Sequence, residues 1–346
     1  MKVLKDLSVE IPDTNSYHWN FEPFSSDDGI DLAVGFNSLR NSFDYNLEAQ
    51  SRKRVLFNNW APCEYASRVI WDQVDAIQAE EHFDYVLTIC PYTAAWRNLN
   101  LSNAKYIFAF YPFSEKIVPP DAEKKYDVIY HGGIHGREHI LAIKVMRSFN
   151  YRFTSLDYGI NPLTRKYLKY ATDINLDFQE KITRISESKI SICFNIIHVS
   201  FPHFKNIKIY QSKMPPGSEF FNSLKLVDIF KNYPWIGTLP QFKTRMHEAA
   251  ISKTVNLVYK DAWNVAESYY EPNVEFIYFQ DEADLNKKIR YVLENWESDY
   301  IQSMIDAAYQ KAMRYTSKNF MHYYSKVINS SDPINFHHFS SQEFWH

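Results

Sequence analysis

The chain has 346 residues, a formal net charge of −3 and a sequence pI near 6.5. These totals give no overall electrostatic attraction to nucleic acid or to an anionic membrane, although they are compatible with a local basic patch. Hydrophobic residues make up 45% of the chain and aromatic residues 17%, which argues against intrinsic disorder and supplies apolar surface for packed cores. At this length, two domains of about 100–200 residues each are expected.

The cysteines and the N-terminus bear on the compartment. Cys63, Cys90 and Cys193 are odd in number and far apart, which indicates reduced thiols rather than a disulfide framework or a zinc site. Residues 1–12 are charged and lack the apolar run of a signal peptide. No segment approaches the roughly 20 apolar residues that span a bilayer. We therefore expect a cytoplasmic protein without a membrane span.

Five short apolar runs in the first third of the chain predict β-strands, and they are separated by polar or helical segments. The runs are residues 2–7, 30–36, 54–59, 84–90 and 105–110. This alternation is typical of a parallel α/β domain. Residues 113–121 follow as a linker stiffened by Pro119 and Pro120, so the first domain is predicted to cover residues 1–118.

A glycine-rich turn follows the next predicted strand, residues 124–131. It holds three of the eight glycines of the chain within five residues, namely Gly132, Gly133 and Gly136. Glycine lets the backbone approach a phosphate closely, and the helix that follows offers free N–H groups and a positive dipole end. Arg137 and Lys144 would add charge toward a diphosphate. The pattern is neither G-x-G-x-x-G nor a P-loop, so a tight turn without a ligand is the alternative.

The remaining elements alternate in the same way. Strands are predicted at residues 152–156, 189–195, 254–259 and 274–279, and helices at 163–171, 179–185, from 245, from 281 and at 300–327. Residues 196–240 are predicted to be loops with one short helix near 224–230, because prolines divide them. Asn195, Lys260, Asp261 and Asn264 follow strands at the carboxyl edge of the sheet, where open α/β sheets bind ligands.

The order of elements in the last third resembles the C-terminal half of nucleotide-sugar glycosyltransferases of the GT-B fold, in particular the CgeB-like and family-1-like group. The resemblance rests on Arg245, Glu248, Ala249, Asp261, residues 276–279, residues 281–285, Ile289, Tyr315 and Thr316. It covers about the last third of the chain as a sequence of elements, and the rest by topology.

The resemblance implies an α/β protein with two Rossmann-like domains facing across a cleft and a C-terminal helix that crosses back to the N-terminal domain. Residues 119–320 would bind the nucleotide-sugar donor, and residues 321–346 would form the helix end and an aromatic tail.

The resemblance also assigns donor contacts. The loop with Gly132, Gly133, His135 and Arg137 would face the donor diphosphate, and Glu248 would take the ribose hydroxyls. Many retaining members carry a Glu-x7-Glu pair, but Pro240 stands where the first glutamate would be, so the stereochemical outcome stays open. Arg245 would neutralise phosphate charge, and Asn195 is a further donor-binding candidate. An ordinary first-turn acid and a solvated arginine are the alternatives for Glu248 and Arg245.

Glycosyl transfer builds negative charge on the departing nucleoside diphosphate, and an inverting enzyme also needs a base for the acceptor hydroxyl. We expect that base in the N-terminal domain, with Glu64 favoured, Asp13 next, and Glu10 and His18 as further candidates. His131, His135 and His139 straddle a turn rather than share a helix face, and no Asp-x-Asp motif is present. We therefore expect a metal-independent enzyme with no cofactor beyond the nucleotide sugar.

The sequence thus predicts a glycosyltransferase, hexosyl- or pentosyl-transferring, that moves a sugar from a UDP- or GDP-sugar to a hydroxyl of a glycan or small molecule. Two alternatives stay open. One is glycosylation of a modified nucleic-acid base, which the pI disfavours. The other is a non-catalytic nucleotide-sugar-binding adaptor.

Overall fold

The computed structural model describes residues 3–5, 32–36, 53–58, 84–89, 105–156, 162–200, 236–261 and 264–320. Asp13 and Glu64, the two predicted catalytic residues, lie outside these ranges, as do Glu10 and His18. Their roles stay predictions.

The N-terminal part contributes a parallel five-stranded sheet. Its strands are β1 (Val3–Lys5), β2 (Leu32–Phe36), β3 (Lys53–Asn58), β4 (Tyr85–Thr88) and β5 (Lys105–Phe108). They lie side by side in chain order, and every neighbouring pair is parallel. The five strands predicted from the apolar runs are confirmed.

Eight further strands are described: β6 (Tyr126–His131), β7 (Tyr151–Ser155), β8 (Asp173–Ile174), β9 (Ser188–Cys193), β10 (Ile196–Ser200), β11 (Ile236–Pro240), β12 (Val255–Tyr259) and β13 (Ile277–Phe279). Six of them form a second parallel sheet in the order β13-β12-β9-β6-β7-β8. Numbered along the chain, this is the doubly wound order 3-2-1-4-5-6 of nucleotide-binding folds.

The described helices are α1 (Arg137–Met146), α2 (Pro162–Tyr167), α3 (Phe178–Ser186), α4 (Arg245–Ile251), α5 (Glu282–Glu294) and α6 (Asp299–Ala312). Local chemistry sets several of their starts. Asp177 and Glu180 form a reciprocal capping box on α3, and Asp281 caps α5 by accepting a hydrogen bond from the Asp284 N–H at 2.9 Å.

The second sheet is covered on both faces. Side chains of a strand alternate between faces, so Val128 and Tyr130 of β6 point to one side and Ile129 and His131 to the other. On the first side they meet the apolar stripes of α1 and α5, in a core that includes Ile143 and Ile289. On the second side Ile129 packs against α3 and α4 through Ile182, Ile185 and Ala249.

A buried aromatic cluster joins the two sheets. The Tyr269 hydroxyl donates to the carbonyl oxygens of Ile89, after β4, and Ala109, after β5, at 3.1 and 3.4 Å. The Phe242 ring stacks on Tyr269 with centroids 3.6 Å apart. Because Tyr269 and Phe242 lie in the second half of the chain, these contacts hold its sheet against the carboxyl ends of β4 and β5.

The chain returns to the first sheet after α6, as predicted. The Phe113 N–H donates to the Tyr315 carbonyl at 3.0 Å, the Ser317 N–H donates to the Phe113 carbonyl at 2.8 Å, and Phe320 packs edge-on against Phe110. The predicted continuous helix over 300–327 is wrong within the described range. α6 ends at Ala312 and a 3-10 turn follows at Met313–Tyr315, because Thr316 must be extended to bridge Phe113.

Residues 196–240 also differ from the prediction, which placed no strand there. Their two ends pair as the antiparallel strands β10 and β11, apart from both parallel sheets. Proline is tolerated in such a two-stranded pair because each strand has an unpaired edge, and Pro240 ends β11 opposite Ile196. The helix predicted near 224–230 lies outside the described residues.

The linker between the two sheets contains a short 3-10 helix, Glu115–Ile117, which lies between β5 and β6. The domain boundaries at 118 and 320 stay predictions. Among the described residues, no helix combines the length and apolar character needed to cross a membrane.

Candidate functional site

The site lies at the carboxyl edge of the second sheet. The strand order runs outward from β6 to β7 and β8 on one side and through β9 to β12 and β13 on the other. Connections after β6 and β9 therefore leave in opposite directions and open a crevice between them, which is where open α/β sheets bind their ligands.

The loop after β6 is held in a conformation that needs glycine. Gly132 has a φ of +134°, a region that residues with a side chain rarely adopt. Its N–H donates to the Thr154 carbonyl at 2.9 Å, and the Tyr130 hydroxyl donates to the Gly133 carbonyl at 2.7 Å. Burial raises the pKa of Tyr130 to about 12, so this hydroxyl keeps its proton near neutral pH. The loop is thereby fixed by contacts with β6 and β7.

The Arg245 guanidinium occupies the space that a side chain at Gly132 would fill. A Cβ atom built on Gly132 would lie 2.5 Å from Arg245 Cζ, far inside the contact distance of two carbon atoms. The same guanidinium lies over the Tyr130 ring, with Cζ 5.8 Å from its centroid. The first residue of α4 therefore places a positive charge directly on the glycine loop.

Helix α1 begins at Arg137, five residues after Gly132. Its N-cap is Gly136, which provides no side-chain hydrogen bond to the first turn, whereas the N-caps of α3, α5 and α6 each accept one through a side-chain oxygen. The first N–H groups of α1 thus face the loop without an internal cap, a geometry that suits an anion.

A buried charged cluster lies on the face of the second sheet that α3 and α4 cover, next to the apolar contacts between Ile129 and these two helices. The Glu248 carboxylate is 3% exposed, and its Oε2 lies 2.9 Å from Lys181 Nζ and 3.4 Å from His131 Nδ1. Its Oε1 accepts a hydrogen bond from the Thr244 hydroxyl at 3.3 Å. Three elements, β6, α3 and α4, therefore meet at this carboxylate.

His131 is neutral in this cluster. Its pKa is lowered from 6.5 to about 3, mainly by burial and also by the positive charges of Lys181 and Arg245, against the opposing effect of Glu248. Its Nε2 lies 3.4 Å from the Ser191 hydroxyl of β9. The charge that balances Glu248 thus comes from Lys181 and not from the imidazole.

Asn195 joins the end of β9 to the segment before α4. Its Oδ1 accepts a hydrogen bond from the Lys243 N–H at 2.8 Å, its Nδ2 lies 3.0 Å from Met246 Sδ, and its carbonyl accepts from the Gln241 N–H at 2.8 Å. The side chain is fully buried. In the structure Asn195 therefore stabilises the segment that leads into α4. Its contact with the donor stays a prediction.

A pocket of about 180 Å³ lies between the first turns of α1 and α5. That volume is below the roughly 300–1,000 Å³ of complete small-molecule sites, so it would hold only a part of a nucleotide sugar. Its walls are Arg137, Glu138, Leu141, Ala142, Tyr259, Phe279, Gln280, Asp281, Glu282 and Leu285.

The structure brings most of the predicted donor residues to one edge of the sheet. Gly132 and Arg245 touch, Glu248 lies one helical turn from Arg245, and Arg137 lines the adjacent pocket. His135 is exposed and meets the His139 ring edge-on, with centroids 5.9 Å apart. Asp261 accepts hydrogen bonds from the Val265 N–H at 3.2 Å and so fixes the loop after β12.

Sequence reasoning did not assign Lys181, Tyr130 or His131 to the site. Lys181 is in the first turn of α3, and a helix that follows a parallel strand begins at the carboxyl edge, which is the signal that would have indicated it. His131, His135 and His139 are the three histidines at four-residue spacing around the turn. Within the ranges the structure describes, no group of three or more His, Cys, Asp or Glu side chains is arranged to hold a metal ion.

Comparison with known proteins adds a family to this geometry. Residues 194–324, which include α4, Arg245 and Glu248, match the family described as glycosyl transferase-like. This segment is a glycosyltransferase-like domain. No curated protein sequence matches the chain.

Solved structures extend the likeness to most of the chain. HepE of Anabaena in complex with UDP has a TM-score of 0.53 and 9% identity over 86% of this chain and 78% of that one. Sucrose-phosphate synthase of Thermosynechococcus elongatus has a TM-score of 0.55 and 9% identity over 86% and 73%. TarM of S. aureus has a TM-score of 0.53 and 10% identity over 86% and 55%. At these identities the likeness shows the fold, which is the GT-B fold.

Proposed function

We propose that this protein is a glycosyltransferase that moves a sugar from a UDP- or GDP-sugar to a hydroxyl group of a glycan or small molecule. The observation that carries the proposal is the Arg245 guanidinium lying on Gly132 in the loop that leads into α1, with α4 inside the segment that matches the glycosyltransferase-like family. Several structures with this fold, including HepE of Anabaena, contain UDP.

The donor diphosphate would lie on the loop after β6. There it would receive hydrogen bonds from the first N–H groups of α1 and charge from Arg245, and Arg137 lies at the same helix start. Such groups act most strongly when they are fixed before the reaction and face the charge that develops on the leaving group. Because these cations stand where negative charge accumulates, we propose that departure of the nucleoside diphosphate proceeds without a metal ion.

The ribose hydroxyls would be taken by Glu248. Its carboxylate lies on the same helix as Arg245, three residues later, so that one short helix serves both the phosphates and the ribose. Glu64 and Asp13, in the N-terminal domain, would serve the acceptor, with Glu64 as the base that accepts the proton of its hydroxyl if the reaction inverts the anomeric centre.

The experiment is a thermal-shift series with UDP, GDP, ADP and their common sugar conjugates on the wild type, Arg245→Ala and Arg290→Ala. A ligand at about 100 times its Kd stabilises the native state by about 2.7 kcal/mol, which corresponds to a rise of roughly 5 °C in Tm. Arg290 is an exposed residue of α5 and serves as the matched control.

We expect one nucleoside diphosphate to raise Tm for the wild type and Arg290→Ala but not for Arg245→Ala. The sugar conjugate of that nucleotide should then be hydrolysed slowly without an acceptor, which separates an enzyme from a binding adaptor. No shift with any nucleotide would overturn the proposal.

A further inference from the structure

We propose that Lys181 is a positioning residue that holds the Glu248 carboxylate for recognition of the donor ribose. This inference rests on the proposed function, because it concerns the same nucleotide site. Lys181 belongs to α3, which precedes the segment that matches the glycosyltransferase-like family.

The Glu248 carboxylate needs a cation to be buried. It is 3% exposed, and an isolated buried carboxylate carries a large desolvation cost unless an opposite charge lies beside it. Lys181 Nζ lies 2.9 Å from Oε2, whereas His131, at 3.4 Å, is uncharged near neutral pH because burial lowers its pKa to about 3. Lys181 is therefore the cation that lies against the buried carboxylate.

The contacts also orient the carboxylate. Lys181 and His131 both face Oε2, while Oε1 is on the side of the Thr244 hydroxyl, 3.3 Å away. A carboxylate oxygen has two lone pairs, so Oε1 can accept a further hydrogen bond while that contact is kept. With Oε2 beside the ammonium group, Oε1 is the atom that would accept a hydrogen bond from a ribose hydroxyl.

Lys181 is suited to this role because its side chain is partly exposed and also reaches the buried Glu248 carboxylate. It is 26% exposed, and its ammonium group also lies 4.3 Å from the centroid of the Phe178 ring in the same helix. The side chain is anchored at its Cα in helix α3, and its ammonium group contacts both Glu248 and the Phe178 ring. Removal of this head group would leave Glu248 to protonate or to rotate, and either change removes the ordered acceptor.

The test measures ribose recognition separately from nucleotide binding. Calorimetry first identifies which of UDP, GDP and ADP binds the wild type, and then compares that nucleotide with its 2′-deoxy and 3′-deoxy counterparts. The variants are Lys181→Met, Lys181→Arg, Glu248→Gln and Lys125→Met. Lys125 pairs with Glu187 at 2.7 Å beside the start of β6, at the opposite edge of the sheet, and is the matched control.

A hydrogen bond to a charged group contributes enough for the wild type to prefer the ribonucleotide about tenfold or more. We expect the preference to fall below about threefold in Lys181→Met and Glu248→Gln, with the affinity for the deoxynucleotides little changed. Lys181→Arg should keep part of the preference, and Lys125→Met all of it. A purely structural role would instead weaken ribo- and deoxynucleotides in parallel.

Four results would overturn the inference. Lys181→Met that keeps the full preference, or a wild type without a preference, would refute it and leave nucleotide binding intact. If no nucleotide binds the wild type, the proposed function fails and the inference fails with it. If Lys181→Met does not fold, the double variant Lys181→Met/Glu248→Gln replaces it, because it leaves no unpaired charge buried. If the double variant still prefers the ribonucleotide over its deoxy counterparts, that result would equally contradict the proposed role of Lys181.

Discussion

Replacement of Gly132 by alanine should disable the site through Arg245 rather than through the glycine loop alone. The added Cβ would lie 2.5 Å from Arg245 Cζ, whereas carbon atoms in contact are about 3.5–4.0 Å apart, so the guanidinium must move by about 1 Å or more. A φ of +134° also costs a residue with a side chain about 1–3 kcal/mol. That is a large part of the usual 5–15 kcal/mol of folding stability, yet it leaves the protein folded.

The steric and backbone effects can be separated by a double-mutant cycle of Gly132→Ala and Arg245→Ala. Loss of one charge-assisted contact to a phosphate corresponds to about 1.5–3 kcal/mol, or about 10–100-fold in Kd. Both single variants should lose this amount of nucleotide affinity, and the double variant should lose no more than Arg245→Ala alone, because the same contact is removed each time. The backbone cost should appear in urea unfolding of both variants with alanine at 132.

Calorimetry with the nucleotide that binds the wild type measures the first quantity, and urea unfolding the second. Gly136→Ala is the control, since its φ of −166° is extended backbone that alanine adopts without strain. If the losses of affinity in the two single variants simply add in the double variant, Arg245 does not act through its position on Gly132, and the reasoning is refuted.

Three further predictions concern other parts of the protein. Burial lowers the pKa of both His131 and His247 from 6.5 to about 3, so below pH 6.5 the unfolded chain binds two protons that the folded chain does not, and the free energy of unfolding should fall with falling pH. At about 1.4 kcal/mol per group per pH unit, the two histidines together lower the free energy of unfolding by about 4 kcal/mol between pH 6.5 and pH 5. Urea unfolding at pH 7 and at pH 5 measures this loss, which should be about 2 kcal/mol smaller in His247→Gln than in the wild type. A loss in His247→Gln equal to that of the wild type would contradict this. Tyr269→Phe removes the hydroxyl that donates to the Ile89 and Ala109 carbonyls, so it should lower the free energy of unfolding by about 1–3 kcal/mol and leave nucleotide affinity unchanged. Tyr300→Phe is the control, because it loses only an exposed hydrogen bond to Asn273 and should change the free energy of unfolding little. Glu64→Gln should lower kcat at least 100-fold without weakening donor binding, and normal turnover in that variant would exclude Glu64 as the base.

Most of the parallel strands were predictable because each is a short, largely apolar run bounded by polar residues, but the two-residue strand β8, Asp173–Ile174, was not predicted. The paired ends of residues 196–240 were not, since β10 and β11 are stabilised by each other across 35 intervening residues and no local pattern records such a pairing. The end of α6 was missed for a similar reason. Its apolar periodicity continues past Ala312, but the contact of Thr316 with Phe113, distant in sequence, ends the helix.

The candidate site divides in the same way. Gly132, Arg137 and Arg245 carry a local signal, because glycine in a turn and arginine at a helix start are visible in the sequence. Lys181 carries only its position in the first turn of a helix, which does not show its contact with Glu248, because that contact depends on α3 lying beside α4. The burial of Asn195 is equally invisible, because a polar residue at the end of a strand can face the crevice or brace a neighbouring loop.

Helix α4 explains why these residues are held firmly. Six of its seven residues are buried, with Met246 and Ala250 in the core that joins the two sheets and Ala249 in the seam with α3. His247 packs among the aromatic rings of that core, where its Nδ1 lies 2.6 Å from the Tyr270 hydroxyl. A helix packed on so many sides is held in one orientation, so under the proposed function Arg245 and Glu248 would already be in place before the donor binds. Fixed charges of this kind stabilise a departing diphosphate without reorganising.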